Sequence, residues 1–243
     1  GENNQNYALN LGRLASNYSD LNNFSKAEEL LKKSLTITEN IYKKNHPQYL
    51  TILNNLGLLY LRLGNFELSE KLFIECLSYK KIIFGEENPS YIATESNLAT
   101  LYMEKEDFTK AENIFLNTIS KKKKLLGEDN SNYLLSLNNL ATFYTKIGEF
   151  DKSEKLYLEI LQKKKRLSGE EDISYTKYLS NIGILYDKKG DFKLSEQYFI
   201  KALQIREKIL GKQNLDYAHS LNNLGTLYVK LNDFKKAELY LSN

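Results

Sequence analysis

Asparagine recurs in this chain at a fixed interval. Asn55, Asn97, Asn139, Asn181 and Asn223 stand 42 residues apart, with Arg13 in the first place of the column. Beside them runs a second column of Gly12, Asn54, Ser96, Asn138, Ser180 and Asn222. An amide carries a donor and an acceptor on a short, stiff side chain. A row of amides can therefore pair with successive N–H and C=O groups of an extended peptide, almost regardless of that peptide's sequence. Residues of the usual catalytic kinds do not assemble in the same way. His46 and His219 fall in unrelated places of the pattern, with no recurring acid or nucleophile beside them. Cys76, the single cysteine, shares its column with Ser34, Thr118, Ile160 and Ala202, which is the company of a small packed residue. No CxxC, HExxH, P-loop or GxGxxG is present. The chemistry on offer is binding: no catalytic residue, no metal and no cofactor is expected.

The elements that position those amides follow from the same interval. The segment LNNLGLLYLRLGNFELSE (residues 53–70) returns as SNLATLYMEKEDFTKAE, LNNLATFYTKIGEFDKSE, LSNIGILYDKKGDFKLSE and LNNLGTLYVKLNDFKKAE. Tyr18, Tyr60, Tyr102, Tyr144, Tyr186 and Tyr228 are 42 apart, and so are Phe24, Phe66, Phe108, Phe150, Phe192 and Phe234. The acids Glu28, Glu70, Glu112, Glu154, Glu196 and Glu238 keep the same phase.

Within a unit, Leu53, Leu56, Leu59, Tyr60 and Leu63 form one helical stripe, and Phe66, Leu72, Phe73, Leu77 and Ile83 belong to a second. Each unit is thus two amphipathic helices. Helix A spans 47–63, opened by His46 and its equivalents Asn4, Asn88, Asn130, Asp172 and Asn214, with Pro47 and Pro89 at the favoured first position. Helix B spans 66–84, capped by Asn65, Asn23, Asp107, Asp191 and Asp233, and it ends at Gly85, Gly127, Gly169 or Gly211, where a left-handed residue is expected. A second glycine column, Gly64, Gly148 and Gly190, marks the turn from helix A to helix B, and a third, Gly57, Gly183 and Gly225, alternates with Ala15, Ala99 and Ala141 in mid helix A. Helix B must cross there too closely for a larger side chain, which offsets the cost of a helical glycine. Gly12 alone is out of column. Tyr7, Tyr49, Tyr91, Tyr133, Tyr175 and Tyr217 are expected to pack the start of each helix A against the preceding helix B.

The order of leucine, glycine or alanine, tyrosine, phenylalanine and small residue resembles the tetratricopeptide repeat over essentially all of the chain. Its usual unit has 34 residues; the 42-residue unit and the LNNLGxLY layout are similar to the kinesin-light-chain subtype. The resemblance implies an all-α fold, a right-handed solenoid of stacked antiparallel helix pairs with helix A lining the concave side, working as a protein-binding scaffold or adaptor. It also implies that the amide columns touch bound peptide.

Packing Leu53, Leu56, Gly57 and Tyr60 inward leaves positions 51, 54, 55, 58 and 62 on the other face of helix A. The candidate groove residues are therefore Arg13, Asn54, Asn55, Asn97, Asn138, Asn139, Asn181, Asn222 and Asn223, with Thr100 and Thr142 next to them. The competing reading of the asparagines is that they tie neighbouring helices together. If they serve the ligand, replacing Asn139 and Asn181 by alanine weakens binding and leaves stability nearly unchanged. One turn on lie Asp20, Arg62, Glu104, Lys146, Lys188 and Lys230, with Lys177 and His219 near the start of their helices. Lys146, Lys177, Lys188 and Lys230 make the C-terminal half cationic, which favours an acidic peptide or a terminal carboxylate. Lys177, Asn181 and Asn223 resemble the start of the carboxylate clamp of chaperone-binding tetratricopeptide domains, whose third repeat would fall outside this chain.

Composition sets the outer bounds. With 243 residues, 42% of them hydrophobic, and a net charge of +3, nothing global calls for nucleic acid or an anionic membrane. The basic runs at 121–124 and 163–166 fall in the last turns of helix B, where cations offset the helix dipole, and acidic loops sit beside them. A single cysteine and a polar start without a signal peptide fit a cytoplasmic, intracellular protein. Residues 1–243 read as one array of about five and a half repeats, helix pairs starting near 5, 47, 89, 131, 173 and 215, cut from a longer array because both ends fall inside the pattern and no polar capping helix is visible. Two other roles remain open: a regulatory array joined to an effector domain outside the chain, and a structural solenoid that self-associates through its uncapped ends.

Overall fold

The computed structural model describes residues 4–242. Residues 1–3 and Asn243, on which the expectations about the two ends rest, lie outside the described residues. Among the described residues there are twelve α-helices and no strand: α1 (Gln5–Asp20), α2 (Phe24–Tyr42), α3 (Pro47–Arg62), α4 (Phe66–Phe84), α5 (Pro89–Glu104), α6 (Phe108–Leu126), α7 (Ser131–Ile147), α8 (Phe150–Ser168), α9 (Ile173–Lys189), α10 (Phe192–Leu210), α11 (Leu215–Lys230) and α12 (Phe234–Leu241). Odd numbers are helix A and even numbers helix B. None of these helices is long and apolar enough to cross a membrane. The chain divides into two compact units, residues 1–125 and 126–243.

The helix limits follow from the caps read in the sequence. Asn4, His46, Asn88, Asn130, Asp172 and Asn214 each accept a backbone N–H two or three residues into their helix A. Asn23, Asn65, Asp107, Asp191 and Asp233 accept the N–H three residues on in helix B. Only α8 begins without such a bond, at Glu149. Helix A of the second repeat closes at Arg62, with Leu63 as its cap, one residue earlier than the apolar stripe predicts.

The helix B stop differs from expectation. Gly85, Gly169 and Gly211 have φ of 75° to 81° but ψ of 165° to 171°, outside the left-handed helical region. This combination is open almost only to glycine. Lys43 adopts it as well, at φ 68° and ψ 173°, so the first repeat carries local strain that the others avoid.

Each repeat closes on one contact. A Cβ built on Gly57 would lie 2.7 Å from the Phe73 ring, and one on Gly183 would lie 2.5 Å from Phe199. Ala15, Ala99 and Ala141 fill the same place fully buried. A second small residue twelve positions on completes the approach: Ser69 Oγ donates to the Gly57 carbonyl at 2.8 Å and Ser153 Oγ to the Ala141 carbonyl at 2.7 Å. In the N-terminal unit, Leu11, Ala15, Leu30, Leu31, Leu56 and Leu59 build one continuous core through α1, α2 and α3. In the C-terminal unit, Phe199, Leu203, Tyr217, Leu221 and Leu224 do so from α10 to α11.

The tyrosine and glutamate columns turn out to be two halves of one tie between successive repeats. Tyr60 donates to Glu28 at 2.7 Å and Tyr102 to Glu70 at 2.8 Å in the first unit; Tyr186 donates to Glu154 at 2.8 Å, and Tyr228 to Glu196, in the second. Lys105 and Lys189 add ion pairs to Glu70 and Glu154. The other tyrosine column packs on two sides. Tyr49 shares a core cluster with Leu35, and Tyr217 with Phe199 and Leu203, of the preceding helix B. Helix B of the same repeat adds a cation: Lys33 lies over Tyr7, Lys121 over Tyr91, Lys163 over Tyr133 and Lys201 over Tyr175.

Two outcomes follow. Gly57→Ala drives a methyl group into a fully buried ring and should destabilise the fold by about 1–3 kcal/mol, read as a lower urea midpoint. The carboxyls of Glu70 and Glu154 are held below their ordinary value of 4.5, first by the lysine and, against the opposing effect of burial, also by the tyrosine hydroxyl. Carboxylates lowered in the folded state stabilise it above their unfolded value, and the gain disappears as pH falls through the folded value. Acidification from about pH 6 to about pH 3 should therefore lower the thermal midpoint more in the native sequence than in a Glu70→Gln/Glu154→Gln variant.

Candidate peptide-binding face

The core contact fixes the rotation of every helix A and hence the face left over. In α3 it buries Leu53, Leu56, Gly57, Leu59 and Tyr60, while Thr51, Asn54, Asn55, Leu58 and Arg62 remain half-buried or exposed. In α9 it leaves Lys177, Asn181, Ile184 and Lys188. Of the other amides, Asn97, Asn139 and Asn223 are half-buried, Asn222 is exposed, and Asn138 is only 4% exposed. Arg13, Thr142, Lys146 and Lys230 are exposed and Thr100 is half-buried.

The structure brings the two amide columns together across adjacent repeats. Asn97 Nδ2 donates to Asn54 Oδ1 at 3.1 Å, and Asn181 Nδ2 donates to Asn138 Oδ1 at 2.7 Å. The tying role weighed in the sequence is thus real for these four. Each clasp uses the carbonyl of one amide and one N–H of the other, which leaves an amino group and a carbonyl side by side. Opposite Gly12 and Ser180 the clasp is missing. Ser180 Oγ is buried without a partner, and Asn55 and Asn223 make no clasp. Thr100 Oγ1 turns back to the Ser96 carbonyl at 3.2 Å, and the Thr142 hydroxyl meets Tyr157 OH at 2.9 Å.

Beneath the clasps lie cations that helix-dipole reasoning places on the surface. Lys80, Lys164 and Arg206, equivalent residues of the second, fourth and fifth repeats, are 4%, 8% and 8% exposed, and Lys122 of the third is half-buried. Lys80 Nζ donates to the Ser90 carbonyl at 3.0 Å and to Thr94 Oγ1 at 2.7 Å, and Thr94 passes the bond to Asn54 Oδ1 at 3.0 Å. Arg206 reaches the Thr176 and Ser220 hydroxyls at 3.0 and 2.5 Å. Burial pushes the Lys80, Lys122 and Arg206 values down. Lys163, by contrast, pairs with Glu128 at 2.6 Å, and Arg166 pairs with Asp129, so the outer part of that run is neutralised by its acidic loop. The fourfold recurrence of Lys80, Lys122, Lys164 and Arg206 in a packing column was the available signal for this buried row.

The groove cations are not equivalent. Arg62 is paired with Asp20 at 3.3 Å and Lys230 with Asp187 at 2.5 Å, whereas Lys177 and Lys188 stand exposed. Lys177 does not join Asn181 and Asn223 in any bonded cluster. Cys76 is fully buried and bonds the Leu50 carbonyl at 3.3 Å, as a packed small residue does, and burial pushes its thiol up.

The clasp revises the alanine expectation for Asn181. Removing its amide strands the buried Asn138 carbonyl, so Asn181→Ala should destabilise the chain by about 1–2 kcal/mol. Asn223→Ala breaks no clasp and should leave the urea midpoint within about 0.5 kcal/mol of the native chain.

The tetratricopeptide repeat family model matches residues 4–82, 90–166, 132–199 and 174–242. No curated protein sequence matches the chain. Among solved structures, BtubC (BKLC) from P. vanneervenii is similar at a TM-score of 0.71 and 22% identity, over 90% of this chain and 88% of that one. A putative kinesin light chain with nearly identical TPR-like repeats from Podosopora anserina reaches 0.68 at 19% identity, over 83% and 95%. NprR, solved in complex with its cognate peptide NprX, reaches 0.65 at 19% identity, over 97% of this chain and 65% of that one. These likenesses show the fold, an α-solenoid of stacked helix pairs, and with the family match over most of its length the chain belongs to the tetratricopeptide repeats, a family of protein-interaction scaffolds.

Proposed function

We propose that this chain holds an extended segment of another protein along the exposed face of its A helices, as a scaffold or adaptor. The observation that carries the reading is the arrangement of the amides. In the Asn54–Asn97 clasp the Asn54 amino group and the Asn97 carbonyl are left over, a donor and an acceptor that match one peptide unit of a strand-like ligand. The unclasped Asn55 and Asn223 offer complete amides. NprR, a protein of similar fold, was solved with its cognate peptide NprX, and a Rap protein of similar fold was solved in complex with competence and sporulation factor. The exposed Lys177 and Lys188, which lack the carboxylate partners that Arg62 and Lys230 have, favour an acidic segment on the C-terminal unit.

A random dodecapeptide display library panned on the immobilised chain tests this. Peptides should be enriched, with acidic residues over-represented. Asn55→Ala/Asn223→Ala should weaken the enriched peptides roughly tenfold at unchanged thermal stability, since each lost hydrogen bond is worth about 0.5–1.5 kcal/mol. An enriched set that binds the double variant as tightly as the native chain would sink the groove assignment.

A further inference from the structure

Gly12 is the one glycine of helix A that packing does not require. At Gly57, Gly183 and Gly225 an added Cβ would come within 2.7 Å of a side chain of helix B, but at Gly12 its nearest neighbour is Ser34 Oγ at 3.9 Å, an ordinary contact. A glycine inside a helix is unfavourable relative to alanine, and here no close approach offsets it. Its column otherwise holds Asn or Ser. A second position in the same repeat is also reduced. Phe73, Phe115, Tyr157 and Phe199 share a column with Leu31 and with Leu241, which closes on Gly225 as Phe73 does on Gly57. Gly12 and Leu31 both line a cavity of about 320 Å³ between α1 and α3, within the N-terminal unit, at the lower end of the range of ligand pockets.

The lining says what would fit. Ala15, Leu31, Leu58 and Leu59 make it apolar, and Asn55, unclasped because Gly12 faces it, supplies an amide. The two charges present, Arg62 and Asp20, neutralise each other at 3.3 Å. A charged occupant would find no counter-charge free, and an uncharged one matches the lining. We propose that this cavity takes one large uncharged aliphatic or aromatic side chain of the bound peptide and so sets the register of that peptide on the repeats. Asn55 pairs with the backbone next to the inserted residue. This inference rests on the peptide-binding reading above.

The test uses the same dodecapeptide library on the full chain and on Gly12→Asn, which restores the residue that the second repeat has in this column and fills the cavity. The native chain should enrich peptides with Leu, Met, Phe or Trp at one fixed position, and those peptides should bind Gly12→Asn at least tenfold more weakly. Gly12→Ala serves as the folding control, with a thermal midpoint equal to or above the native one. Enriched peptides that keep both affinity and apolar position on Gly12→Asn overturn the pocket alone. Failure to enrich any peptide overturns the peptide-binding reading and the pocket with it. Dimerisation of the native chain that Gly12→Asn abolishes would instead assign the cavity to a second copy of the chain.

Discussion

The close approach of helix B to the middle of helix A is the constraint from which the rest follows. Gly57 beneath Phe73 and Gly183 beneath Phe199 admit one rotation of helix A, because any turn about its axis would carry a branched residue into the ring. That rotation places Tyr60 and Tyr186 where their hydroxyls meet Glu28 and Glu154 of the neighbouring repeat. It also leaves the residue at 55 and its equivalents on the free face, with the neighbouring column at 54 partly covered. Packing, inter-repeat ties and the proposed binding face are therefore consequences of a single interhelical distance, which selection can hold with a small residue in helix A and a large one sixteen positions later.

Charge divides by depth in the same frame. The last turn of helix B faces the loop on one side and the next helix A on the other, so Lys163 and Arg166 reach acids of the loop while Lys164 lies inside. A buried ammonium without good partners is costly. Lys80 meets that cost with a backbone carbonyl and the Thr94 hydroxyl, and Arg206 with two hydroxyls. These bonds point Thr94 at Asn54, so the position of one amide of the proposed binding face depends on a buried cation.

Much of this was legible in the sequence because a 42-residue period turns each column into repeated measurements of one environment. Both helices, all but one of the caps and the crossing at Gly57 could be read from it. The helix B stop was read as the wrong conformation, since a glycine column signals positive φ but not ψ, and Lys43 shows that the column tolerates an exception. The glutamate column was visible without its partner, because the tie to tyrosine joins residues 32 apart, in different helices. The amide clasp was hidden for a related reason. Side-chain bonds between residues 43 apart depend on how one repeat is offset against the next, which periodicity leaves undetermined.

On the proposed function, the double use of the asparagines links binding to stacking. When Asn97 donates to Asn54, the Asn54 carbonyl already holds two donors, Asn97 and Thr94, and polarisation along such a chain strengthens the donor that remains, the Asn54 amino group. A peptide carbonyl accepting from it would in turn strengthen the clasp between the two repeats. Where Gly12 or Ser180 interrupts the clasp, the facing amide is free to turn toward a ligand but lacks that support. Alternation of clasped and unclasped rungs within a unit thus separates, on the proposed function, two demands on one residue type: rigid rungs that hold neighbouring repeats in register, and adaptable rungs that would follow a ligand.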